Sequence, residues 1–580
     1  MNDAQRRQAI DAWRAGDPDE ATRAELDRLV ASGDVHELDD RFGARLEFGT
    51  AGLRGVVGAG PNRMNRAVVL QTTRGLADWL LAQGEGVASR GVVVGYDARL
   101  SSLGFAEDTA AVLAAAGIPV HLFDTEVPTP LVAYAVLALR ASAGVVVTAS
   151  HNPPEYNGYK VYAADGAQIV PPVDVAIARA IDAVGPAIGL ARVALDEARA
   201  RGVVREVPAS VAEGYLARVA SLALHPELRP ALRIVYTPLH GVGFRLASAA
   251  LARAGFSDVE AVPEQREPDG RFPTVAFPNP EEPGAMDLAL ALARATRADL
   301  VLANDPDADR LAVAVPDAAG RFVQLTGNQV GVLLGHYLLT EAGDEGDRVM
   351  LSTIVSSPML GDLARALGVR YEETLTGFKW IARRGLEVAH ATGARVAFGY
   401  EEALGYSVGD LVRDKDGIGA AVLFADLAAT CRSRGRSVLD ELESIYRRHG
   451  LYASAQRSIV RKGVAGIAAI GASMAALRAA APRSLAGREV LAVRDYAAGT
   501  RRDTTTGLVT PLTLPPSDVV ALELAGGARV VARPSGTEPK LKIYLDVREA
   551  VAPHEPLGAA EARAASSLDA LAQAALALLG

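Results

Sequence analysis

Val92-Val-Val-Gly-Tyr-Asp97, followed by Ala114-Ala-Ala-Gly117 and then Pro119-Val-His-Leu-Phe123, sets the architecture of this chain. A β-branched apolar run fits a buried strand. The segment after it ends in Ala-Gly as a helix does, and a second apolar run begins behind a proline. The same order recurs from Ile234-Val-Tyr-Thr-Pro-Leu-His240-Gly-Val-Gly243 through Leu251-Ala-Arg-Ala-Gly255 to Val259. It recurs again from Val349-Met-Leu-Ser-Thr353 through Ala364-Arg-Ala-Leu-Gly368 to Tyr371. Strands alternating with helices imply mixed, mainly parallel α/β layers, and three copies imply three related domains. From about residue 450 the pattern changes, and the chain closes in an Ala-rich helix, Ala559 to Leu579.

Composition sets limits on function. A chain of 580 residues is too long for one core, and 49% apolar residues suffice to bury several. A net charge of −9 argues against a nucleic-acid partner. The single cysteine, Cys431, excludes internal disulfides and fits a reducing cytoplasm. Met1-Asn-Asp-Ala-Gln-Arg-Arg lacks the apolar core of a signal peptide, and the uncharged run Gly463 to Leu477 is too short to cross a bilayer. The expectation is a soluble cytoplasmic protein with no membrane partner.

Three segments carry chemistry. In Ala143-Gly-Val-Val-Val-Thr-Ala-Ser150-His151-Asn-Pro-Pro154, a buried strand delivers a hydroxyl onto a turn at the carboxyl edge of a sheet. Open α/β folds bind ligands there. A hydrolase elbow would need glycines where Thr148 and Asn152 stand. Asn157-Gly158-Tyr159-Lys160 reads as a tight turn returning an ammonium beside Ser150. In the second segment, Leu300-Val-Leu-Ala-Asn-Asp305-Pro-Asp307-Ala-Asp309-Arg310, three carboxylates alternate, so an extended loop turns them to one side. Crowded carboxylates need a cation, and oxygen-only ligands suit magnesium. A calcium EF-hand is excluded because Arg310 and Pro316 occupy its glycine and glutamate positions. The third, Arg533-Pro-Ser535-Gly536-Thr537-Glu-Pro-Lys540-Leu-Lys542, offers the parts of a phosphate cradle. The chain has only six lysines, at 160, 379, 415, 462, 540 and 542, and five lie in stretches notable on other grounds. Arginine supplies every other basic side chain, and it cannot replace lysine in proton transfer.

These segments resemble the alpha-D-phosphohexomutase family (phosphoglucomutases and phosphomannomutases). The match includes Phe48-Gly-Thr-Ala-Gly-Leu-Arg54-Gly55 and Gly399-Tyr-Glu401-Glu402-Ala403-Leu-Gly405-Tyr406, in order, over roughly residues 40 to 548. With Arg413-Asp-Lys415-Asp-Gly417, the variants are most similar to the branch containing phosphoglucomutase-2 and phosphopentomutase activity.

The resemblance implies three similar mixed α/β domains and a smaller α+β C-terminal domain around a central cleft. Its domains would be a helical leader (1–40), domain I with the phosphoserine loop (41–205), domain II with the metal loop (206–322), domain III with the sugar loop (323–450) and a phosphate-binding domain (451–580). It implies a mutase that interconverts sugar 1- and 6-phosphates, glucose first, through a phosphoserine and a bisphosphorylated sugar. Ser150, His151, Lys160 and Arg54 would be catalytic, and Ser150, Asp305, Asp307 and Asp309 would hold one Mg2+. Arg310, Thr376, Gly377, Lys379, Glu401, Glu402 and Ala403 would meet the sugar phosphate, and Arg533, Ser535, Gly536, Thr537 and Lys542 its distant phosphate.

Ala403 stands where glucose- and mannose-active relatives carry serine, which raises a pentose 1-/5-phosphate substrate as an alternative. Phosphomannomutase, bisphosphate synthase, magnesium phosphatase and silent sugar-phosphate sensor are the others. The expected partner is a small phosphosugar, the chain being a monomer or homodimer. His240 and His121 read as structural.

Overall fold

All three strand–helix–strand copies form in the computed structural model, which describes residues 1–49, 52–227, 232–343, 346–461, 463–535 and 540–580, the side chains of 463–465 excepted. The chain divides into two compact units, Met1–Leu325 with Leu404–Ser433, and Thr326–Ala403 with Arg434–Gly580. In the first unit, strands β1 (Leu53–Val56), β2 (Val92–Tyr96), β3 (Val120–Leu122), β4 (Ala143–Val147), β5 (Tyr156–Ala163) and β6 (Val204–Glu206) make one sheet in the order β1-β5-β4-β2-β3-β6. The β4–β2–β3–β6 pairs are parallel and β5 is antiparallel to both its neighbours. All five residues of β2 and of β4 are buried. Helices cover both faces of the parallel part, which is why these strands read as continuous apolar runs.

The second sheet has the order β11-β10-β9-β7-β8, from β7 (Ile234–Thr237), β8 (Val259–Ala261), β9 (Leu300–Ala303), β10 (Ala312–Pro316) and β11 (Phe322–Gln324). In the second unit, β12 (Arg348–Thr353) pairs in parallel with β13 (Arg370–Thr374) and β14 (Arg395–Glu401). The C-terminal part is sheet-rich and antiparallel, running from the edge strand Leu451–Val460 through Lys540–Glu549, Ala528–Pro534 and Val520–Leu524 to Arg488–Asp495. Three mixed α/β domains and a sheet-rich fourth are therefore present. Among the described residues no helix is long and apolar enough to cross a membrane.

The predicted turn at Asn157-Gly158 is a difference. Both residues lie inside β5, and the reversal occurs earlier, around Asn152–Glu155. Gly158 is there because a Cβ would lie 2.6 Å from the Thr148 carbonyl and 2.8 Å from that of Leu53. The expected outcome still follows, since the antiparallel register sets Lys160 opposite Val146. Gly158→Ala forces two strands apart and should destabilise the protein by about 1–3 kcal/mol, read as a lower denaturant midpoint.

Candidate active site

β4 ends in a loop over-determined by buried polar groups. Thr148 Oγ1 donates to Asp97 Oδ2 at 2.6 Å and accepts the Ser150 N–H at 2.8 Å. The Arg99 guanidinium donates to four carbonyls of the loop, those of Ser150 (2.7 Å), Asn152 (2.5 Å), Pro153 (2.7 Å) and Tyr156 (2.8 Å). This clamp holds Ser150 at φ 52°, a left-handed conformation that costs a non-glycine residue free energy. The outcome is a hydroxyl fixed at one place, 97% removed from solvent as a residue.

Opposite it lies the loop leaving β9. The extended conformation expected here is not found. Ala308 is left-handed at φ 55° and its N–H donates to the Asp305 carbonyl at 2.8 Å, making a tight turn. The turn nevertheless aims all three carboxylates at one point, with one oxygen from each within 4.8 Å of the others. Ser150 Oγ donates to Asp305 Oδ2 at 2.7 Å. Lys160 Nζ donates to Asp307 Oδ2 (2.7 Å) and Asp309 Oδ2 (3.1 Å), Thr129 Oγ1 to Asp307 Oδ2 (2.7 Å). Lys415 Nζ is 3.2 Å from Asp309 Oδ2. The Arg310 N–H donates to Asp305 Oδ1 at 3.0 Å, and its guanidinium Nε lies 4.0 Å from Asp305 and Asp309.

These neighbours split the carboxylates. Burial and the charges of Asp307 and Asp309 push Asp305 well above the usual carboxylate range. Burial also acts on Asp309, but the Lys160 and Lys415 ammoniums outweigh it and hold the group below that range. Lys160 loses to burial and gains more from Asp307 and Asp309, so it remains an ammonium. His151 Nδ1 stands 3.1 Å from Ser150 Oγ, and burial with the Arg310 and Arg54 charges keeps the imidazole neutral. Arg54, exposed, donates to Asn152 Oδ1 at 2.9 Å.

The donor set fits a hard divalent cation. Asp307 Oδ1 and Asp309 Oδ1 are buried with no hydrogen-bond partner among the described residues, and every nearby ligand atom on the loop is oxygen.

The metal loop is itself braced. Tyr236 Oη donates to Asn304 Oδ1 (2.7 Å) and Asn304 Nδ2 to the Arg310 carbonyl (2.5 Å). A Cβ on Gly417 would collide with that carbonyl, so Gly417 allows the segment bearing Lys415 to approach. His240 bonds Thr274 at 2.8 Å and is structural. Lys415, Arg99 and Thr129 join the site without having been singled out for it. Only Lys415 had a signal, as one of six lysines in an Asp-Lys-Asp-Gly run.

The second unit carries the other predicted residues. Glu401 ends β14 and Glu402 and Ala403 lie in the turn after it, while Thr376 and Gly377 lead into the helix Phe378–Thr392, whose Lys379 is buried with its Nζ 5.3 Å from the Trp380 ring centre. Arg533 faces Lys542 across paired strands, and the Ser535 N–H donates to the Lys540 carbonyl at 2.7 Å. Gly536 and Thr537 lie outside the described residues. Burial raises the Tyr544 hydroxyl pKa, with Glu402 and Glu401 adding to it and Arg533 opposing. Glu401, Glu402 and Arg533 therefore act on one electrostatic neighbourhood around Tyr544.

Models of the phosphoglucomutase/phosphomannomutase α/β/α domains I, II and III match residues 45–186, 213–320 and 326–449. The chain belongs to this family. It is a phosphosugar mutase, an intramolecular phosphotransferase. It is 42% identical over 499 residues to a probable phosphomannomutase of Haemophilus influenzae, covering 84% of this chain and 93% of that one. It is 36% identical over 565 residues to a phosphopentomutase of Homo sapiens, covering 94% and 92%. A crystal structure of a putative phosphomannomutase from Thermus thermophilus superposes with a TM-score of 0.64 at 25% identity, covering 91% of this chain and 99% of that one.

In this mutase, Asp416 caps the helix that follows Lys415, accepting from Ile418 N (3.1 Å), Gly419 N (2.9 Å) and Tyr215 Oη (2.8 Å). Burial outweighs those donors and pushes Asp416 up from 3.8 to about 6. As pH rises between those values the unfolded chain loses the proton first, so stability falls, and the loss is complete above the folded value. Asp416→Asn keeps the accepting oxygen and has no such titration. Between pH 4.5 and 7 urea unfolding should move about 2 kcal/mol in favour of the variant relative to the native chain.

Proposed function

We propose that the mutase interconverts glucose 1-phosphate and glucose 6-phosphate, with Ser150 as the phosphoryl carrier. The supporting observation is a buried serine hydroxyl, 2.7 Å from Asp305 and 3.1 Å from His151, beside two further aspartates and two ammoniums. The resting carrier is phospho-Ser150. A free sugar hydroxyl attacks its phosphorus, the P–Oγ bond breaks, the hydroxyl's proton passes to the departing Oγ by way of His151, and the sugar becomes a bisphosphate. After reorientation, Oγ takes the other phosphoryl group and the product leaves. In this return step the proton displaced from Oγ passes to the neutral His151 Nδ1, 3.1 Å away, and on to the sugar oxygen that gives up its phosphoryl group. Lys160, held as an ammonium, serves as a fixed positive charge toward the transferring oxygens rather than as a resting base. A divalent cation held by Asp305, Asp307, Asp309 and Ser150 would neutralise charge on the phosphoryl group. Glu401 would hold sugar hydroxyls, and Arg533 with Ser535 the far phosphate.

A second reading, ribose 1-phosphate to ribose 5-phosphate, is favoured by Ala403 and by the phosphopentomutase relative that spans nearly the whole chain.

Ser150→Ala should lower turnover by about 10⁴-fold or more, as loss of a covalent carrier does, and intact mass should show one phosphate on the native chain and none on the variant. Full turnover in the variant would overturn the carrier role. Chelation with EDTA should abolish activity and magnesium restore it. Ala403→Ser adds one hydrogen-bonding group and should shift the glucose 1-phosphate to ribose 1-phosphate kcat/KM ratio toward glucose by about tenfold.

A further inference from the structure

Arg529 lies four residues before Arg533 on the strand Ala528–Pro534, and period-two alternation puts 529, 531 and 533 on one sheet face. Val531 on that face packs in a buried cluster with Ile354 and Val355, which belong to the turn following β12. Arg529 pins the same turn. Its Nη2 donates to the Ser356 carbonyl at 2.6 Å, while Nε and Nη2 bond Asp546 Oδ2 at 3.0 and 2.7 Å. Asp546 is the direct cross-strand partner of Arg529 and accepts Ser454 Oγ at 2.7 Å.

The other end of Ser356 meets the sugar loop. Its hydroxyl donates to Glu402 Oε2 at 3.0 Å and accepts the Glu402 N–H at 3.2 Å. Thr353 Oγ1 lies 3.3 Å from the same carboxylate oxygen and 2.8 Å from Ser356 Oγ. Thr353 and Ser356 are almost fully buried, so this carboxylate is bonded to hydroxyls that water does not compete for.

We infer that Glu402 is an anchor rather than a sugar ligand, and that Arg529 is the positioning residue that, through Ser356, fixes the sugar loop against the strand bearing Arg533. The inference rests on reading Glu401 and Arg533 as substrate contacts. A rigid sugar phosphate spans those two contacts, so their separation has to be constant to a fraction of an ångström. A guanidinium sharing its donors between a carboxylate and a carbonyl holds that separation better than a single ammonium could.

The test uses steady-state kinetics of the full chain with whichever of glucose 1-phosphate and ribose 1-phosphate the native protein turns over, plus trace sugar bisphosphate. Glu401→Gln should lower kcat/KM about 30- to 100-fold, and Glu402→Gln, which keeps an accepting oxygen, less than about tenfold. Ser356→Ala and Arg529→Lys should each raise KM about 5- to 10-fold with kcat within about twofold. Because the two act in series, the double variant should be no worse than the worse single one, whereas independent structural damage would multiply. A larger loss at Glu402 than at Glu401, an unchanged KM in both Ser356→Ala and Arg529→Lys, or multiplicative effects would overturn the inference. Phosphate on Ser150, measured by intact mass in every variant, separates this from failure of the carrier reading, which would show as a native chain that never carries it.

Discussion

Three carboxylates gathered without water repel one another strongly. At about 4–5 Å and an effective dielectric near 20, each pair costs about 3–4 kcal/mol, so the trio costs as much as a whole domain's net stability. The fold of the first unit answers that repulsion. Lys160 comes from the first sheet, Lys415 from the segment that rejoins the first two domains, and Arg310 from the loop itself. Cations from three separate stretches of chain converge on one loop of the second sheet. Removing Lys160 leaves Asp307 buried without its ammonium, which is more costly than never having buried the pair.

The same constraint bears on why Ser150, the proposed carrier, is held so firmly. A phosphoserine brings further negative charge to a place already crowded with it. Ser150 can carry that group only where the surrounding cations are, and the Arg99 clamp with the left-handed backbone fixes it there. Asp97 joins the two tasks, orienting Thr148 on one side and standing 3.3 Å from Arg99 on the other. The strain at Ser150 is thus maintained by a network of buried polar groups centred on Arg99, Asp97 and Thr148.

What the sequence disclosed follows from the range over which each signal acts. The strand–helix–strand copies were legible because hydrophobic runs, Ala-Gly helix ends and proline starts are local, and β2, β7 and β12 form where those runs are. Ser150 and the Asp305–Asp309 trio were legible because their residue types have few other uses at such density. Asn157-Gly158 misled because the same dipeptide serves a turn and a strand crossed closely by another backbone, and only the position of Thr148 and Leu53 distinguishes them. Arg99 gave no signal at all. An arginine three residues past a strand is ordinary until the chain is folded and four carbonyls, more than fifty residues away, are found around it.

The geometry also bears on how the proposed phosphoserine would favour exchange between hydroxyls over loss to water. Storage of a phosphoryl group is useful only if hydrolysis is slower than transfer to the sugar. Ser150 is 3% exposed and the three aspartates no more than 1%, so bulk water has little access to the phosphorus from the side of the loop. On the proposed reading the acceptor is positioned instead by binding, with Glu401 and Arg533 as its contacts. A clamp such as Asp546–Arg529–Ser356–Glu402 then has a purpose beyond stability. If the sugar loop and the phosphate strand drifted apart, the substrate hydroxyl would lose its advantage in orientation over water, and that advantage is the largest a mutase has.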